Sequence, residues 1–514
     1  MKATLLIPLL LCCATLWLPA QISVQTDRAD AVYAAGDRMN FVLTTSAGGD
    51  VQYFIRFDNR SSVIESGVVK AATAGTYHIP FTLDEPGFVN CFVVQGGNTD
   101  NAAAAFSPFD IDAYEEEPSD FDAFWASAKS TLASIPMDPV VTPHSSSTYS
   151  DTYRVNLANI DNRRVYGYLS VPKGTGPFPA ILILPSFGSA PNHVTPQPFI
   201  AEQGNALSFA INIHNAEPDA SDPMAYQRNQ IDNRDQVYYK QALLGAVRAI
   251  DYLFSRPDFD GEHLGVTGVS QGGGLSACTA GLDDRVRMLV MSISALCQHT
   301  GLKYDRPSGH PHYLFTASFT PELDEATTNE AIKYYDAAYF LRRFKGPSMT
   351  FVGYEDDTCP PGTILAAFNQ LQGPKTIQHV RDRGHDAPDY FTERFDFFRT
   401  HFAAMRTPPS PFVEVTTSYV IDAGMDQKGT VASTFSLSAN VSKNELPIAN
   451  PSISWQKIDG PGSVLLSQPN QLSTTAQFSE PGTYRLRLTV HDQSDLSAEG
   501  EWYSSMDDVL IVVE

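Results

Sequence analysis

The chain has 514 residues, of which 43% are hydrophobic and 18% charged, and its formal net charge at pH 7 is −23. Since a domain averages about 150 residues, this length predicts roughly three domains rather than one hydrophobic core. The acidic balance argues against nucleic acid and anionic membranes as partners, because both attract basic surfaces, and it fits an enzyme that acts on neutral substrates.

The first residues are typical of a secretory signal peptide. Lys2 is followed by an apolar run at residues 5–18 and by Pro19-Ala20, which suits cleavage near residue 20. The apolar run is too short for a good membrane anchor, and no later segment qualifies as a transmembrane segment. We therefore expect residues 1–20 to be a signal peptide and the mature protein to be secreted, either extracellular or periplasmic.

Four cysteines remain after such cleavage: Cys91, Cys278, Cys297 and Cys359. They are too few and too dispersed for a disulfide scaffold, even in an oxidising compartment. The sequence leaves open whether Cys278 and Cys297 form a disulfide.

Residues 21–112 alternate apolar and polar positions in short runs separated by glycine-rich turns, as at 40–43 and 88–94. This alternation predicts a small immunoglobulin-like β-sandwich. The acidic run Glu115-Glu116-Glu117-Pro118 is a candidate hinge into the next domain. The sandwich could bind glycan, or it could pack against the next domain and shape the mouth of its site, which is the favoured interpretation.

Residues 113–406 have the pattern of an α/β domain. Apolar residues recur at helical spacing from Tyr239 to Phe254, and short apolar runs bounded by Gly, Pro or Asn occur between the helical segments. Those runs lie at 180–184, 209–213, 264–267, 285–291, 348–352 and 376–380. The order of strands and helices predicts a mainly parallel sheet with helices on both faces.

Within this domain, Gly268-Val269-Ser270-Gln271-Gly272 follows an apolar strand and precedes a helix of small residues. That context is typical of a nucleophile elbow, a strained turn that holds a serine hydroxyl above a parallel sheet. Its flanking positions must be small, because backbone approaches backbone there. We therefore expect Ser270 to be a nucleophile.

A serine nucleophile needs a general base and a group that orients that base. The α/β-hydrolase order is serine, then acid, then histidine, with the last two on loops that leave strands. The strand at 348–352 leads into Glu355-Asp356-Asp357, and the strand at 376–380 leads into a loop that contains His385. We expect His385 to be the base and Asp356 the acid, with Glu355 and Asp357 as alternatives for the acid.

The oxyanion of an acyl-transfer intermediate needs two backbone donors. One donor is expected to be the N–H of Gln271, directly after the nucleophile, and the other the N–H of Phe187, in the loop after the strand at 180–184. His310 and His312 could form a metal-ligand pair, but no carboxylate or cysteine has a convincing spacing, so a loop or substrate-rim role is preferred. Cys359 is expected to be a buried residue at a turn rather than a reactive thiol.

Beyond the catalytic domain, Pro408-Pro409-Ser410-Pro411 predicts a stiff linker. Residues 412–514 contain Ser454-Trp455, Gly460-Pro461-Gly462 and Pro481-Gly482-Thr483-Tyr484. These motifs resemble a polycystic-kidney-disease (PKD) type, immunoglobulin-like repeat, which implies a second β-sandwich.

Three motifs together resemble the acetyl xylan esterase and cephalosporin C deacetylase family, carbohydrate esterase family seven, over residues 113–405. They are Gly268 to Gly273 (Gly-Val-Ser-Gln-Gly-Gly), Asp356 to Pro361 (Asp-Asp-Thr-Cys-Pro-Pro) and Gly384-His385. The resemblance implies an α/β-hydrolase fold, hydrolysis of acetyl esters on acetylated xylan or xylo-oligosaccharides, and neither metal nor cofactor. It also implies that Asp356, three residues before Cys359, is the acid.

Two loops depart from the family pattern. Pro185-Ser186-Phe187 stands where the family has His-Gly-Tyr, so Phe187 is assigned by position. His214-Asn215-Ala216-Glu217 stands where the family has Arg-Gly-Gln-Gly, which leaves substrate preference and oligomeric state open. Two alternatives therefore remain for the function: an α/β-hydrolase with peptidase or thioesterase specificity, and a non-catalytic secreted protein that binds glycan.

Overall fold

The structure is a computed structural model that describes residues 22–58, 63–188, 194–222, 226, 230–313, 323–385, 391–402, 419–422, 427–443, 446–447, 452–496 and 502–513. The expected signal peptide and the proline-rich linker at 408–411 lie outside them. The chain divides into two compact units, residues 1–194 with 198–405 and residues 195–197 with 406–514. No helix in the described ranges is long and apolar enough to cross a membrane.

The first unit begins with a β-sandwich. Its strands are β1 (Ile22–Thr26), β2 (Val32–Tyr33), β3 (Arg38–Thr45), β4 (Gly49–Phe57), β5 (Val63–Ala71), β6 (Gly75–Thr82), β7 (Gly87–Gln95) and β8 (Asn98–Phe106). They form two sheets, with the orders β1-β3-β6 and β2-β8-β7-β4-β5. Alternate residues face inward, as Met39, Phe41 and Leu43 do on β3, and together they form one buried core.

The catalytic domain contains a nine-stranded sheet with the order β17-β16-β15-β14-β12-β13-β11-β10-β9. The strands from β12 to β17 pair in parallel, and β9, β10 and β11 extend the sheet in antiparallel fashion. The strands are β9 (Val140–Ser146), β10 (Ser150–Ala158), β11 (Arg164–Pro172), β12 (Phe178–Leu184), β13 (Leu207–Asn212), β14 (Phe259–Val269), β15 (Met288–Ser292), β16 (Ser348–Gly353) and β17 (Lys375–Val380). The predicted α/β-hydrolase architecture is confirmed.

Helices cover both faces of this sheet. They are α1 (Phe121–Ala133), α2 (Pro198–Gly204), α3 (Tyr239–Phe254), α4 (Gln271–Leu282), α5 (Glu325–Ile332), α6 (Ala337–Leu341), α7 (Pro361–Asn369) and α8 (Phe391–His401). The neighbouring residues Ile181 and Leu182 of β12 belong to different buried clusters, because successive side chains of a strand point to opposite faces. The helix predicted from Tyr239 to Phe254 is confirmed at both ends.

The expected hinge at 115–118 carries ion pairs with the catalytic domain. The Glu115 carboxylate lies 2.7 Å from Lys303 Nζ and 3.0 Å from Lys333 Nζ, and Glu117 pairs with Arg343 at 2.9 Å. Burial acts to raise the pKa of Glu115, but the hydrogen bonds from the two lysines outweigh it, so the pKa falls to about 2. This segment is therefore fastened to the catalytic domain on both sides of Glu116.

The second unit is also built of strands. They are β18 (Tyr419–Asp422), β19 (Gln427–Gly429), β20 (Phe435–Ser438), β21 (Asn440–Lys443), β22 (Leu446–Pro447), β23 (Ser452–Asp459), β24 (Val464–Leu466), β25 (Ser473–Phe478), β26 (Gly482–Leu496) and β27 (Trp502–Val513). Trp455, Tyr484 and Leu486 are buried in its core. The expected β-sandwich at this end of the chain is confirmed.

Helix α4 approaches the backbone beneath it so closely that only glycine fits at positions 272 and 274 of its first turn. A Cβ atom on Gly272 would overlap the Leu184 carbonyl oxygen, and one on Gly274 would overlap the Ala295 carbonyl oxygen. Both neighbours are backbone atoms, which cannot rotate away as a side chain can. The run of small residues therefore sets the distance between α4 and the strands beneath it.

We expect Gly274→Ala to lower the free energy of unfolding by about 1–3 kcal/mol, since the added methyl overpacks a rigid contact. The measurement is calorimetric unfolding of the full chain. Gly174→Ala is the matched control, because a Cβ atom at Gly174 meets nothing within 4 Å. Equal unfolding temperatures for the two variants would contradict this account of α4.

Candidate active site

Ser270 occupies a strained turn between β14 and α4. Its φ of +57° is rare for a residue with a side chain, and its N–H donates to the Ser292 carbonyl at 2.9 Å. A Cβ atom on Gly268 would lie 2.7 Å from the Gly272 Cα, so the turn closes only with glycine on both sides. The turn holds the Ser270 hydroxyl at the carboxyl edge of the parallel sheet.

His385 and Asp356 reach the same edge from neighbouring strands. Asp356 follows β16 and His385 follows β17, and these strands pair in parallel. The Ser270 Oγ lies 2.9 Å from His385 Nε2, and His385 Nδ1 lies 2.9 Å from Asp356 Oδ2 and 3.1 Å from Oδ1. The structure therefore joins the three residues in one hydrogen-bonded chain, in the geometry of a nucleophile, its base and the acid that orients the base.

Asp356 is fully buried, and its Oδ1 also accepts hydrogen bonds from the N–H groups of Thr358 at 2.9 Å and Cys359 at 2.7 Å. Burial raises the pKa of its carboxyl, and the hydrogen bond with His385 opposes that rise. Asp357 is exposed, and Glu355 is half-buried. Of the three candidate acids, Asp356 is the one placed beside His385.

A cleft of about 420 Å³ opens above Ser270. Its lining residues are Ser186, Phe187, Val269, Ser270, Ile293, His310, Thr358 and His385. The Phe187 ring is 47% exposed, stacks on Tyr226 at 4.3 Å, and meets the edge of His310 at 5.0 Å. The size and lining of the cleft suit a small organic substrate held against an aromatic face.

The loop at 185–188, which contains the expected oxyanion donor Phe187, is held by the side chain of Gln271. Gln271 Nε2 lies 3.3 Å from the Pro185 carbonyl oxygen and 3.2 Å from that of Ser186, while Gln271 Oε1 accepts from the Tyr239 hydroxyl at 2.8 Å. Gln271 is the first residue of α4, where backbone N–H groups lack intrahelical acceptors. One residue therefore supplies a first-turn N–H beside Ser270 and also fastens the opposite loop.

His214 fastens the far end of this loop. Its Nε2 lies 2.6 Å from the Gly188 carbonyl oxygen, and its Nδ1 contacts the Tyr238 hydroxyl. Burial lowers the pKa of His214, so the ring is neutral near pH 7. Because a carbonyl only accepts, Nε2 carries the proton, and Nδ1 accepts from Tyr238. His214 is thus a buried tether from the segment after β13 to the loop at 185–188.

The described residues contain one group of three potential metal ligands, Asp356, Cys359 and His385, whose ligand atoms lie within 4.8 Å of one another. Asp356 and His385 already bond to each other in that group. His310 lines the cleft, and His312 lies 3.4 Å from the Ser308 hydroxyl. All four described cysteines are free and buried, and burial raises the pKa of the Cys359 thiol well above its usual value.

Sequence reasoning missed Tyr226 and Tyr238 as parts of this site. The Tyr226 hydroxyl accepts from the Gly188 N–H at 3.1 Å and from Gln271 Nε2 at 3.0 Å. No local pattern distinguishes these tyrosines from core aromatics. The sequence did point to their neighbour His214, because it lies two residues after β13, and loops that follow parallel strands line the edge of the sheet where Ser270 lies.

A parallel sheet with a strained serine elbow and a Ser–His–Asp chain at its carboxyl edge defines a serine hydrolase of the α/β-hydrolase class. The family model for acetyl xylan esterase (AXE1) matches residues 110–402. The acetyl esterase Axe7A of Xylanibacter ruminicola is 32% identical over 376 residues, which are 68% of this chain and 83% of that protein. The chain therefore belongs to the acetyl xylan esterase family and is a serine esterase.

Solved structures agree with this assignment. The acetyl xylan esterase of Paenibacillus sp. R4 is 26% identical and covers 57% of this chain and 98% of its own, with a TM-score of 0.51. Acetyl xylan esterase 1 of Thermoanaerobacterium sp. JW/SL YS485, at 22% identity, shares the fold over 57% of this chain and 96% of its own, with a TM-score of 0.50. A family model for a PKD domain matches residues 423–503, so the expected PKD domain is confirmed.

We expect His214→Ala to lower kcat for a small acetyl ester by about 10-fold, because loss of the Gly188 tether loosens the loop at 185–188 beside Ser270. Small displacements of groups around a reacting centre can cost up to about 100-fold in rate. His214→Gln, whose amide can donate to the same carbonyl, should recover most of the rate. The measurement is steady-state hydrolysis of 4-nitrophenyl acetate. His78→Ala, at an exposed position on β6, is the control, and equal kcat values for His78→Ala and His214→Ala would refute the tether.

Proposed function

We propose that this protein is a secreted serine esterase that removes acetyl groups from acetylated xylan fragments through an acyl-enzyme on Ser270. The observation that carries the proposal is the hydrogen-bonded chain from Ser270 Oγ through His385 to the buried Asp356. A serine hydroxyl becomes an effective nucleophile only with such a base within reach.

In the first half-reaction, the Ser270 Oγ attacks the acetyl carbonyl carbon while His385 Nε2 takes the hydroxyl proton. Asp356 keeps the other proton on Nδ1 and stabilises the imidazolium that forms. The negative oxygen of the tetrahedral intermediate accepts from the backbone N–H groups of Gln271 and Phe187. Collapse of this intermediate breaks the ester bond, and His385 gives its proton to the departing sugar oxygen.

In the second half-reaction, water replaces the sugar hydroxyl beside His385. His385 Nε2 takes a proton from that water as its oxygen attacks the acetyl carbon bound to Ser270. The second tetrahedral intermediate uses the same backbone donors. Its collapse releases acetate and returns the proton to the Ser270 Oγ, so the enzyme is unchanged.

Several features support an acetylated neutral sugar as the substrate. The related protein of X. ruminicola is an acetyl esterase, and two related solved structures are acetyl xylan esterases. The cleft of about 420 Å³ has room for a substituted sugar ring beside Ser270. The net charge of −23 disfavours strongly acidic glycans.

We further propose the domain limits 1–20 for a signal peptide, 21–112 for the first β-sandwich, 113–406 for the catalytic domain and 412–514 for the PKD sandwich. Lys2 and the apolar run at residues 5–18 support secretion. The separate buried cores of the two flanking sandwiches support the other limits.

We expect the full chain to release acetate from acetylated xylo-oligosaccharides and Ser270→Ala to reduce that release by at least about 1000-fold, since no other group forms the acyl-enzyme. Acetate is measured enzymatically on oligosaccharides and on acetylated xylan, which also compares polymer with oligomer. Ser276→Ala is the matched control, because Ser276 is buried on α4 with its hydroxyl bonded to the Gly272 carbonyl. If Ser270→Ala still releases acetate, the acyl-enzyme mechanism is wrong. If the wild-type protein hydrolyses thioesters or peptides but releases no acetate, the proposed acetylated-sugar substrate is wrong.

We expect Phe187→Ala to raise KM for acetylated xylo-oligosaccharides about fivefold, because burying about 40 Å² of the ring against a sugar face contributes about 1 kcal/mol at about 25 cal/mol per Å². Its kcat on 4-nitrophenyl acetate should change little, since the proposed oxyanion donor is the backbone N–H. Phe109→Ala is the control, because that ring is 56% exposed and does not line the cleft. If the KM of Phe187→Ala equals that of the wild type, the Phe187 ring does not bind the sugar.

A further inference from the structure

The first β-sandwich reaches the acid loop of the active site through Asp58. This residue follows β4, is 3% exposed, and has a left-handed backbone with a φ of +48°. Its Oδ1 accepts from the Gly362 N–H at 3.0 Å, across 304 positions of sequence. A carboxylate from one domain is therefore buried against a helix of the other.

That contact caps a helix that has no cap of its own. Helix α7 begins after Pro360, which offers no side-chain hydrogen bond, and its first residue, Pro361, has no N–H. The Gly362 N–H is thus the first amide donor of the helix, and its intrahelical acceptor is missing. Asp58 takes the place that a Ser, Thr or Asp at the N-cap usually fills.

Gly362 leaves the space that Asp58 needs. A Cβ atom on Gly362 would overlap Asp58 Oδ2 and would lie 3.0 Å from its Cγ. Asp58 can therefore reach the Gly362 N–H only because residue 362 has no side chain.

Helix α7 and the acid loop form one continuous segment. Asp356 Oδ1 binds the N–H of Cys359, and Pro360 follows directly, so a shift of the α7 N-terminus moves the groups that hold Asp356. The sandwich also contacts the other end of this segment, where the Phe88 ring packs edge to face on Tyr354 at 5.0 Å. Phe88 and Asp58 are themselves joined, because the Asp58 N–H donates to the Phe88 carbonyl at 2.7 Å.

We propose that Asp58 is a positioning residue for the catalytic acid: with Phe88, it clamps residues 354–362 and holds Asp356 in register with His385. In this proposal the first sandwich supports the segment that carries Asp356 and does not contact the substrate. The proposal rests on the proposed triad, whose acid it positions.

The electrostatic surroundings of Asp58 are compatible with this role. Burial raises the pKa of Asp58 to about 7, and the nearby Asp356 adds to the rise, while Arg306 and the Gly362 hydrogen bond oppose it. Arg306 is itself held by Glu85 and by the Phe57 ring, 4.2 Å from its guanidinium. The Asp58 oxygen accepts from Gly362 in either protonation state, so the clamp does not require a second buried charge beside Asp356.

The test compares full-length wild type with Asp58→Ala, Asp58→Asn and Gly362→Ala. We expect Asp58→Ala to lower kcat for 4-nitrophenyl acetate about 10-fold with KM within about twofold, since misplacing a catalytic group affects the chemical step. Asp58→Asn keeps the acceptor oxygen and should recover kcat to within about threefold, by the same reasoning. Gly362→Ala displaces the carboxylate and should match Asp58→Ala, and the double variant should lose no more than either single one.

Asp324→Ala is the matched control, because Asp324 caps α5 through the Thr327 N–H at 2.7 Å, away from the cleft. It should lower the unfolding temperature as Asp58→Ala does, yet leave kcat unchanged. A kcat for Asp58→Ala within about twofold of wild type, or an Asp58→Asn as slow as Asp58→Ala, would overturn the proposal.

Two further readouts separate this proposal from the proposed function. The labelling rate of Ser270 by a fluorophosphonate probe reports on the triad without any sugar, so wild type that labels but releases no acetate refutes only the substrate. Hydrogen exchange over residues 354–362 reports on the clamp without any chemistry. Exchange that is faster in Asp58→Ala than in Asp324→Ala supports the clamp, and equal exchange overturns it.

Discussion

The close contact between α4 and the sheet is the constraint on which the active site depends. Gly272 lies against the Leu184 carbonyl, where no side chain fits, and Ser270, two residues earlier in the same turn, has a φ of +57°. The same turn sets Gln271 at the head of α4, with its amide side chain bonded to Ser186. This packing distance therefore sets the positions of Ser270, of the first-turn N–H beside it and of the loop that faces it.

The parallel sheet supplies the second condition, since parallel strands deliver their following loops to one edge. Ser270 and His385 are 115 residues apart, and His385 and Asp356 are 29 apart, yet they meet because β14, β15, β16 and β17 are neighbours. Burial of Asp356 gives this edge a fixed acceptor for the His385 ring. The strained backbone of Ser270 persists only because the surrounding strands hold it, and Asp356 is buried because it follows β16 of the same sheet.

Specific side-chain contacts also connect the first sandwich, the segment at 115–118 and the loop at 214–217 to the elements around the cleft. Glu115 is held by two lysines of the catalytic domain, which joins the first sandwich to it through a fastened segment. Asp58 contacts Gly362 and Phe88 contacts Tyr354, at the two ends of the segment that carries Asp356. His214, in a loop that departs from the family pattern, binds the Gly188 carbonyl and so takes part in shaping the cleft.

The sequence by itself determined the α/β-hydrolase class, the helix from Tyr239 to Phe254 and the candidates Ser270 and His385, because periodicity, glycine spacing and chain order are local or sequential signals. It could not choose among Glu355, Asp356 and Asp357 without the family resemblance, since adjacent carboxylates differ only in where the loop points them. The sequence also provided no indication of Asp58, Tyr226 or Tyr238. Their partners lie tens to hundreds of residues away, and only the packing of whole domains decides which buried polar groups meet.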